Sequence, residues 1–155
     1  MVGMKKGMRQ LIVVAAVGIS SIVLLAAYGK WFHPAELLMG WDRTISLFEL
    51  LFVVFLLYFR NSWTMWMIAA VIFAAWGGYA SCWCQVHLPC HCMGVNLRIP
   101  TVLSVFLDGV FFVLALYFVY VLGKSKRRVY LTLLLAVLGV VLGWVVSSSI
   151  YKQII

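Results

Sequence analysis

The sequence predicts an all-α integral membrane protein, and three observations carry that reading. Hydrophobic residues make up 66% of the 155-residue chain and charged residues 10%, against about 45–50% and about 25% in soluble domains. The apolar residues fall in long runs, without the period-two alternation of half-buried strands. The basic residues, which give a net charge of +8, gather at the ends of those runs, as topology signals do. The length permits one compact unit over 1–155, and no stretch has the composition of a detachable soluble domain. The charge argues for a lipid bilayer as partner and against nucleic acid, because no basic stripe with base-stacking aromatics is present.

A helix needs about 20 mostly apolar residues to cross a bilayer. Five segments approach or meet that: Leu11–Tyr28, Ile45–Phe59, Trp63–Ala80, Thr101–Leu122 and Val129–Val146. The first follows Lys5, Lys6 and Arg9, as a signal peptide would. Its apolar run is longer than the usual 7–15 residues or so, and no small-x-small cleavage site ends it, so it reads as a retained helix. The second is the shortest and is expected to begin a few residues before Ile45. Arg60-Asn61-Ser62 is too short for anything but a tight turn, which makes the second and third helices antiparallel neighbours. The fifth segment contains Gly139 and Gly143, with Thr132 and Ala136 at the same four-residue spacing. Small residues so placed let helices approach closely, within the chain or against a partner.

Orientation follows from the loops. With the N-terminus inside, the inner segments carry Lys5, Lys6, Arg9, Arg60, Lys124, Lys126, Arg127 and Arg128. The outer ones carry Lys30, Arg43, Arg98 and Lys152. The bias puts the N-terminus in the cytoplasm, with "KSKRR" at 124–128 as its strongest anchor. Aromatic residues make up 15% of the chain. Trp31, Trp41, Trp63, Trp66 and Trp83 fall near the expected interfaces, as an aromatic belt requires.

Two acids fall inside the spans, Glu49 and Asp108. Charge at the bilayer centre costs about 2.5–3.5 kcal/mol even on insertion scales, so such residues face a bundle interior and have partners. Glu49 is expected one turn into the second helix and Asp108 two turns into the fourth, both on the outward side. The functional reading is a polar pocket holding a proton or a quinone head group. The structural reading is a salt bridge or hydrogen bond to Lys30, Arg43 or Arg98.

All four cysteines and two of the three histidines lie in "CWCQVHLPCHCMG" at 82–94, in a loop expected over 81–100 on the outer, periplasmic face, where disulfides persist. The spacing is C-x-C-x5-C-x-C, with His87 and His91 interleaved. Three readings are open. Soft thiolates and imidazoles suit copper or zinc, although structural zinc sites usually space paired ligands by about two to four residues. Structural disulfides allow three pairings, with Pro89 as the corner. Redox exchange would use strained, labile C-x-C bridges, with His87, His91 and Arg98 lowering thiol pKa values. This last reading accounts for the pairs, the basic neighbours and the outward orientation together.

"CHCMG" at 90–94 resembles the Cys-x-Cys-x-Gly motif of the MauE-like (methylamine-utilisation) group of DoxX-like membrane proteins. "YGKWFHP" at 28–34 is similar to the Gly-x-x-Lys variant that ends the first helix in that group. "SLFELLF" at 46–52 supplies the Glu early in the second. Order and spacing agree over roughly residues 10–122. The resemblance implies an antiparallel four-helix DoxX/MauE-like bundle, akin in general plan to the vitamin K epoxide reductase type, to which this chain adds a fifth C-terminal transmembrane helix. It implies Cys90 and Cys92 as the paired cysteines, Gly94 as the turn, and Glu49 and Lys30 as polar neighbours. It implies maturation of disulfide-rich exported proteins, or quinone- or thiosulfate-linked redox chemistry. The chain departs from the pattern by adding Cys82-Trp83-Cys84 and the last helix, which points to a neighbouring membrane subunit.

The expected function is thus a bacterial inner-membrane thiol–disulfide redox or maturation protein acting on an exported partner. Cys90 and Cys92 form the primary pair, Cys82 and Cys84 the second, and Glu49 handles protons. Asp108, Lys30 and Arg98 are the residues that would meet a quinone. Two other readings remain: a non-catalytic small subunit of an electron-transfer complex with structural disulfides, and copper or zinc handling.

Overall fold

In the computed structural model, which describes residues 6–32, 39–85 and 100–154 (39–41, 83–85 and 151–154 as backbone only), the five expected segments are five α-helices. They are α1 (Lys6–Phe32), α2 (Met39–Tyr58), α3 (Trp63–Gln85), α4 (Thr101–Gly123) and α5 (Lys126–Ile154). Each outruns its apolar stretch at one end or both, because the backbone hydrogen-bond ladder continues into polar flanks where hydropathy fades. Four of them, α1, α3, α4 and α5, are long and apolar enough to cross a membrane. The expectation of five spans is met in those four. α2 carries Asp42, Arg43 and Glu49 within 20 residues and falls short on composition.

Two expectations change with these boundaries. α2 begins at Met39, so Glu49 lies nearly three turns in, not one. α3 runs to Gln85, so Cys82 and Cys84 sit in its last turn, not in a loop. Residues two apart on a helix are about 200° apart around the axis, and the Cys82 thiol is free and buried. The strained bridge expected within this first C-x-C pair is therefore not formed. Cys90, Cys92, His87, His91, Gly94 and Arg98 lie outside the described residues.

The helices pack in two ways. α1 and α2 pair with each other, and α3 packs closely against both α4 and α5, while α1 and α2 touch α3 and α4 sparsely. The α1 interface is one stripe, Ile12, Ala16, Ile19, Val23, Ala27 and Lys30, at the three- and four-residue steps of a helix face. Its opposite face, Val14, Val17, Leu25 and Tyr28, is apolar and at least half exposed. An apolar exposed face on a helix with a buried one is what a lipid environment accommodates.

Aromatic side chains pack within the second group and join it to the first. Trp66 of α3, wholly buried, lies 4.4 Å from Phe118 of α4. Phe52 of α2 meets Phe73 edge-on at 5.9 Å and Trp76 at 6.2 Å, so α2 and α3 are bridged by large rings despite their divergent backbones. Trp66 therefore leaves the expected interfacial belt. Its indole N–H is satisfied by the Arg60 carbonyl at 2.6 Å, which secures the α2–α3 turn. At the same end Lys124 adopts a left-handed conformation, φ 49°, that closes α4. Arg128 then donates to the Gly123 carbonyl at 3.0 Å and stacks 4.3 Å over the Trp63 ring.

The small-residue face of α5 is used inside the chain. A Cβ on Gly143 would overlap the carbonyl oxygen of Ala75, one on Gly139 would come within 2.9 Å of the Val71 carbonyl, and one on Gly78 of α3 would overlap the Val140 carbonyl. Ser147 continues the row by donating to the Tyr79 carbonyl at 3.2 Å across a sequence separation of 68. The pairs 71–139, 75–143 and 79–147 keep that same offset, so α3 and α5 run parallel with backbones in contact, the geometry that small-xxx-small spacing permits. Gly143→Val should separate them and lower the thermal midpoint of the detergent-solubilised protein, at a cost of about 1–3 kcal/mol for overpacking. Gly18→Ala, whose added Cβ meets open space, should leave the midpoint unchanged or slightly higher. Equal midpoints for both variants would show that this contact does not hold α5.

Candidate functional site

A cavity of about 390 Å³ lies between the α1–α2 pair and the α3–α5 group, and every helix contributes to its lining. Ile22, Val23, Phe73, Trp76, Leu107, Phe111, Leu142 and Val146 make its walls apolar. Its polar groups are Lys30, Asp42, Glu49, Tyr79, Ser104 and Asp108. Lys30 is in the last turn of α1 and Asp42 in the first turn of α2. The polar side of the cavity is thus at the end of the helices where α3 leads towards the cysteines, opposite the basic turns.

Helical side chains lean towards their helix N-terminus. On antiparallel α1 and α2 this aims Lys30 and Glu49 at each other. Lys30 Nζ donates to Glu49 Oε1, and the two side chains are only 6% and 4% exposed. Next to them the wholly buried Ser46 donates to its own-helix carbonyl at Asp42, 2.8 Å, and lies 3.2 Å from the Ala27 carbonyl of α1. Of the partners expected for Glu49, the structure selects Lys30. The second oxygen, Glu49 Oε2, is buried without a hydrogen-bond partner.

Asp108 is where expected, two turns into α4, with its Cβ beside Gly77 of α3. Ser104, one turn earlier on the same face, is buried. Among the described residues the Asp108 carboxylate makes no hydrogen bond or ion pair, and it faces the cavity. Lys30, Glu49 and Asp108 are therefore brought to one site. Cys82 stands at its margin: it follows Ala75 by seven residues and Tyr79 by three, which sets it on the flank of α3 that carries those lining residues, one turn beyond.

Sequence reading missed Asp42, Ser104, Tyr79 and Trp76. Asp42 was hidden because the second span was started at Ile45. With α2 begun at Met39, Asp42, Ser46 and Glu49 form a polar stripe at four- and three-residue steps on one face. Ser104 and Asp108 repeat that signal on α4. No group of three His, Cys, Asp or Glu side chains able to hold a metal occurs among the described residues. Among the described residues, the Glu49 and Asp108 carboxylates of the cavity can hold hydrogen-bond donors or positive charge against an apolar wall.

Removing one partner of a buried ion pair costs about 3–5 kcal/mol, because the other charge is left uncompensated. Lys30→Met should therefore destabilise strongly, and Lys30→Met/Glu49→Gln should recover most of the loss. A double-mutant cycle on unfolding in detergent checks this, and additive effects would mean that the pair is not coupled. No family model matches this chain, and neither a curated protein nor a solved structure shows similarity to it.

Proposed function

We propose that this chain is a multi-pass protein of the bacterial cytoplasmic membrane, N-terminus inside, that exchanges thiols and disulfides with an exported protein. The observation that carries the reading is the opposite character of the two helix ends. Lys6 and Arg9 at the start of α1, Arg60 in the α2–α3 turn and Lys124, Lys126, Arg127 and Arg128 at the α4–α5 turn share one end. The cysteine segment leaves α3 at the other. Positive charge marks the cytoplasmic side, so the thiols belong outside, where disulfides form and exchange.

In this reading an oxidised Cys90–Cys92 pair accepts two electrons from a dithiol of the partner. A partner thiolate attacks one sulfur, the mixed disulfide forms, and the second partner thiol resolves it, leaving Cys90 and Cys92 reduced and the partner oxidised. Cys82, with a buried free thiol, and Cys84 act singly as resolving groups and not as a vicinal bridge. The four-helix MauE/DoxX-like arrangement belongs to the same proposal and is supported by the motifs at 28–34, 46–52 and 90–94. The pairing of Lys30 with Glu49 gives two of the motif positions a shared structural task. The alternative of a subunit docking through its fifth helix would use the exposed face of α5, because its small residues are occupied by α3.

The oxidised protein in detergent, mixed with a reduced dithiol peptide, should form a trappable mixed disulfide at Cys90 or Cys92. The Cys90→Ser/Cys92→Ser variant should insert normally and form none; full exchange by that variant sinks the proposal. Elemental analysis of the same preparation separates out metal binding. In spheroplasts a membrane-impermeant maleimide should label the reduced cysteine segment from outside, and labelling only after lysis would reverse the orientation.

A further inference from the structure

The exchange chemistry leaves the cavity unused, and the cavity is chemically lopsided. Among the described residues its lining sets the carboxylates of Glu49 and Asp108 against the ammonium of Lys30. That ammonium is engaged by Glu49 Oε1. Two acceptor groups then remain for an occupant. One is Glu49 Oε2, buried and unpartnered on a side chain 4% exposed. The other is the Asp108 carboxylate, which accepts no hydrogen bond from a described residue and feels the Lys30 charge only at longer range. Ionised carboxylates only accept hydrogen bonds, and a buried acceptor left unmade is costly. Glu49 Oε2 therefore calls for a donor, and Asp108, which is only partly buried, can accept one.

The rest of the wall is apolar, and three aromatic rings stand in it. Phe73 lies 5.5 Å from Trp76 and 5.2 Å from Phe111, centroid to centroid, so the three rings form one surface, and Phe111 follows Asp108 by three residues on α4. Aromatic faces attract cations and bury apolar surface well. An anion would be repelled by the surplus of carboxylates. A quinone ring only accepts hydrogen bonds, so it would leave the Glu49 and Asp108 acceptors unmet even where Lys30 or Ser104 donated to it. A neutral hydrocarbon would leave the carboxylates unpaired. The volume, about 390 Å³, falls in the range of about 300–1,000 Å³ usual for small-molecule sites.

We propose that this cavity binds a lipophilic organic cation, whose N–H groups pair with Asp108 and Glu49 Oε2 and whose apolar body lies on the Phe73, Trp76 and Phe111 rings. The site does not depend on the cysteines or on thiol exchange.

The test uses the full chain in detergent, with calorimetric titration and thermal midpoints. Phenylbutylamine is the probe, pentylbenzene its neutral isostere, and a short-chain ubiquinone the acceptor-only control. Phenylbutylamine should bind saturably and raise the midpoint, and the other two should not. Asp108→Asn should weaken its affinity by about tenfold or more, the loss of one charge-assisted hydrogen bond. If that variant does not fold, the comparison of the two isosteres on the wild-type chain decides. Equal binding of both, wild-type affinity in folded Asp108→Asn, or binding of the quinone alone would overturn the proposal. A variant with all four cysteines replaced by serine should keep cation binding, so failed exchange with retained binding removes only the exchange reading.

Discussion

The buried pairing of Lys30 with Glu49 sets the terms for the rest of this molecule. In a medium without water, a charged group has to find its partner inside the protein. α2 shows the consequence most plainly. With Asp42, Arg43 and Glu49 along it, it is too polar to stand alone among apolar helices, and it stays by turning its acids towards α1. Lys30 meets Glu49, and Ser46 sits against the Ala27 carbonyl. Those contacts fix the antiparallel register of the two helices and hold Glu49 on the cavity side of α2.

The other half of the molecule solves the packing problem by removing side chains. Gly78, Gly139 and Gly143 bring α3 and α5 to backbone contact, and α4 joins through Phe111 and Phe118 against Phe73 and Trp66. Long polar side chains hold one group, and close backbones hold the other. The two groups are drawn together by the core from Ile12 and Leu56 to Met65, Trp66 and Phe118, nearer the basic turns. Towards the opposite end no described residue of comparable bulk spans the gap, and the cavity lies there. Its mixed character follows directly: acids and a lysine from the ion-paired side, aromatic rings from the close-packed side.

Much of this was legible in the residues. Five apolar runs became five helices in the expected order, the turn at Arg60-Asn61-Ser62 is where expected, and Glu49 and Asp108 do share a pocket. What failed has a common cause. Hydropathy reports where lipid-facing residues end, whereas a helix ends where its hydrogen-bond ladder does. The polar first turns of α2 and the cysteine-bearing last turn of α3 were therefore read as loop. Trp66 looked interfacial because tryptophan often is, yet the carbonyl of Arg60 lets its indole N–H be satisfied inside. The spacing of Gly139 and Gly143 announced a close helix contact but could not say with which helix, because the complementary feature, Gly78 beside Ala75 and Tyr79, carries no signal until the two helices are laid side by side.

The unequal construction of the two groups also decides which one can give. α3 is fixed to α5 by backbone contact along 71–79 and to α4 by tilted ring contacts, and interiors packed in this way yield little. The α1–α2 pair meets that block mainly through the rings of Phe52 and the core near the basic end. Any change in the cavity's width is therefore taken up by α1 and α2. Cys82, on the same flank of α3 as Ala75 and Tyr79, belongs to the rigid side. A ligand that fills the cavity can shift Lys30 and Glu49 while the turn that starts the cysteine segment stays where it is. The two features at this end are neighbours on one helix, yet mechanically separate, so the cation binding and the thiol exchange proposed above do not require each other.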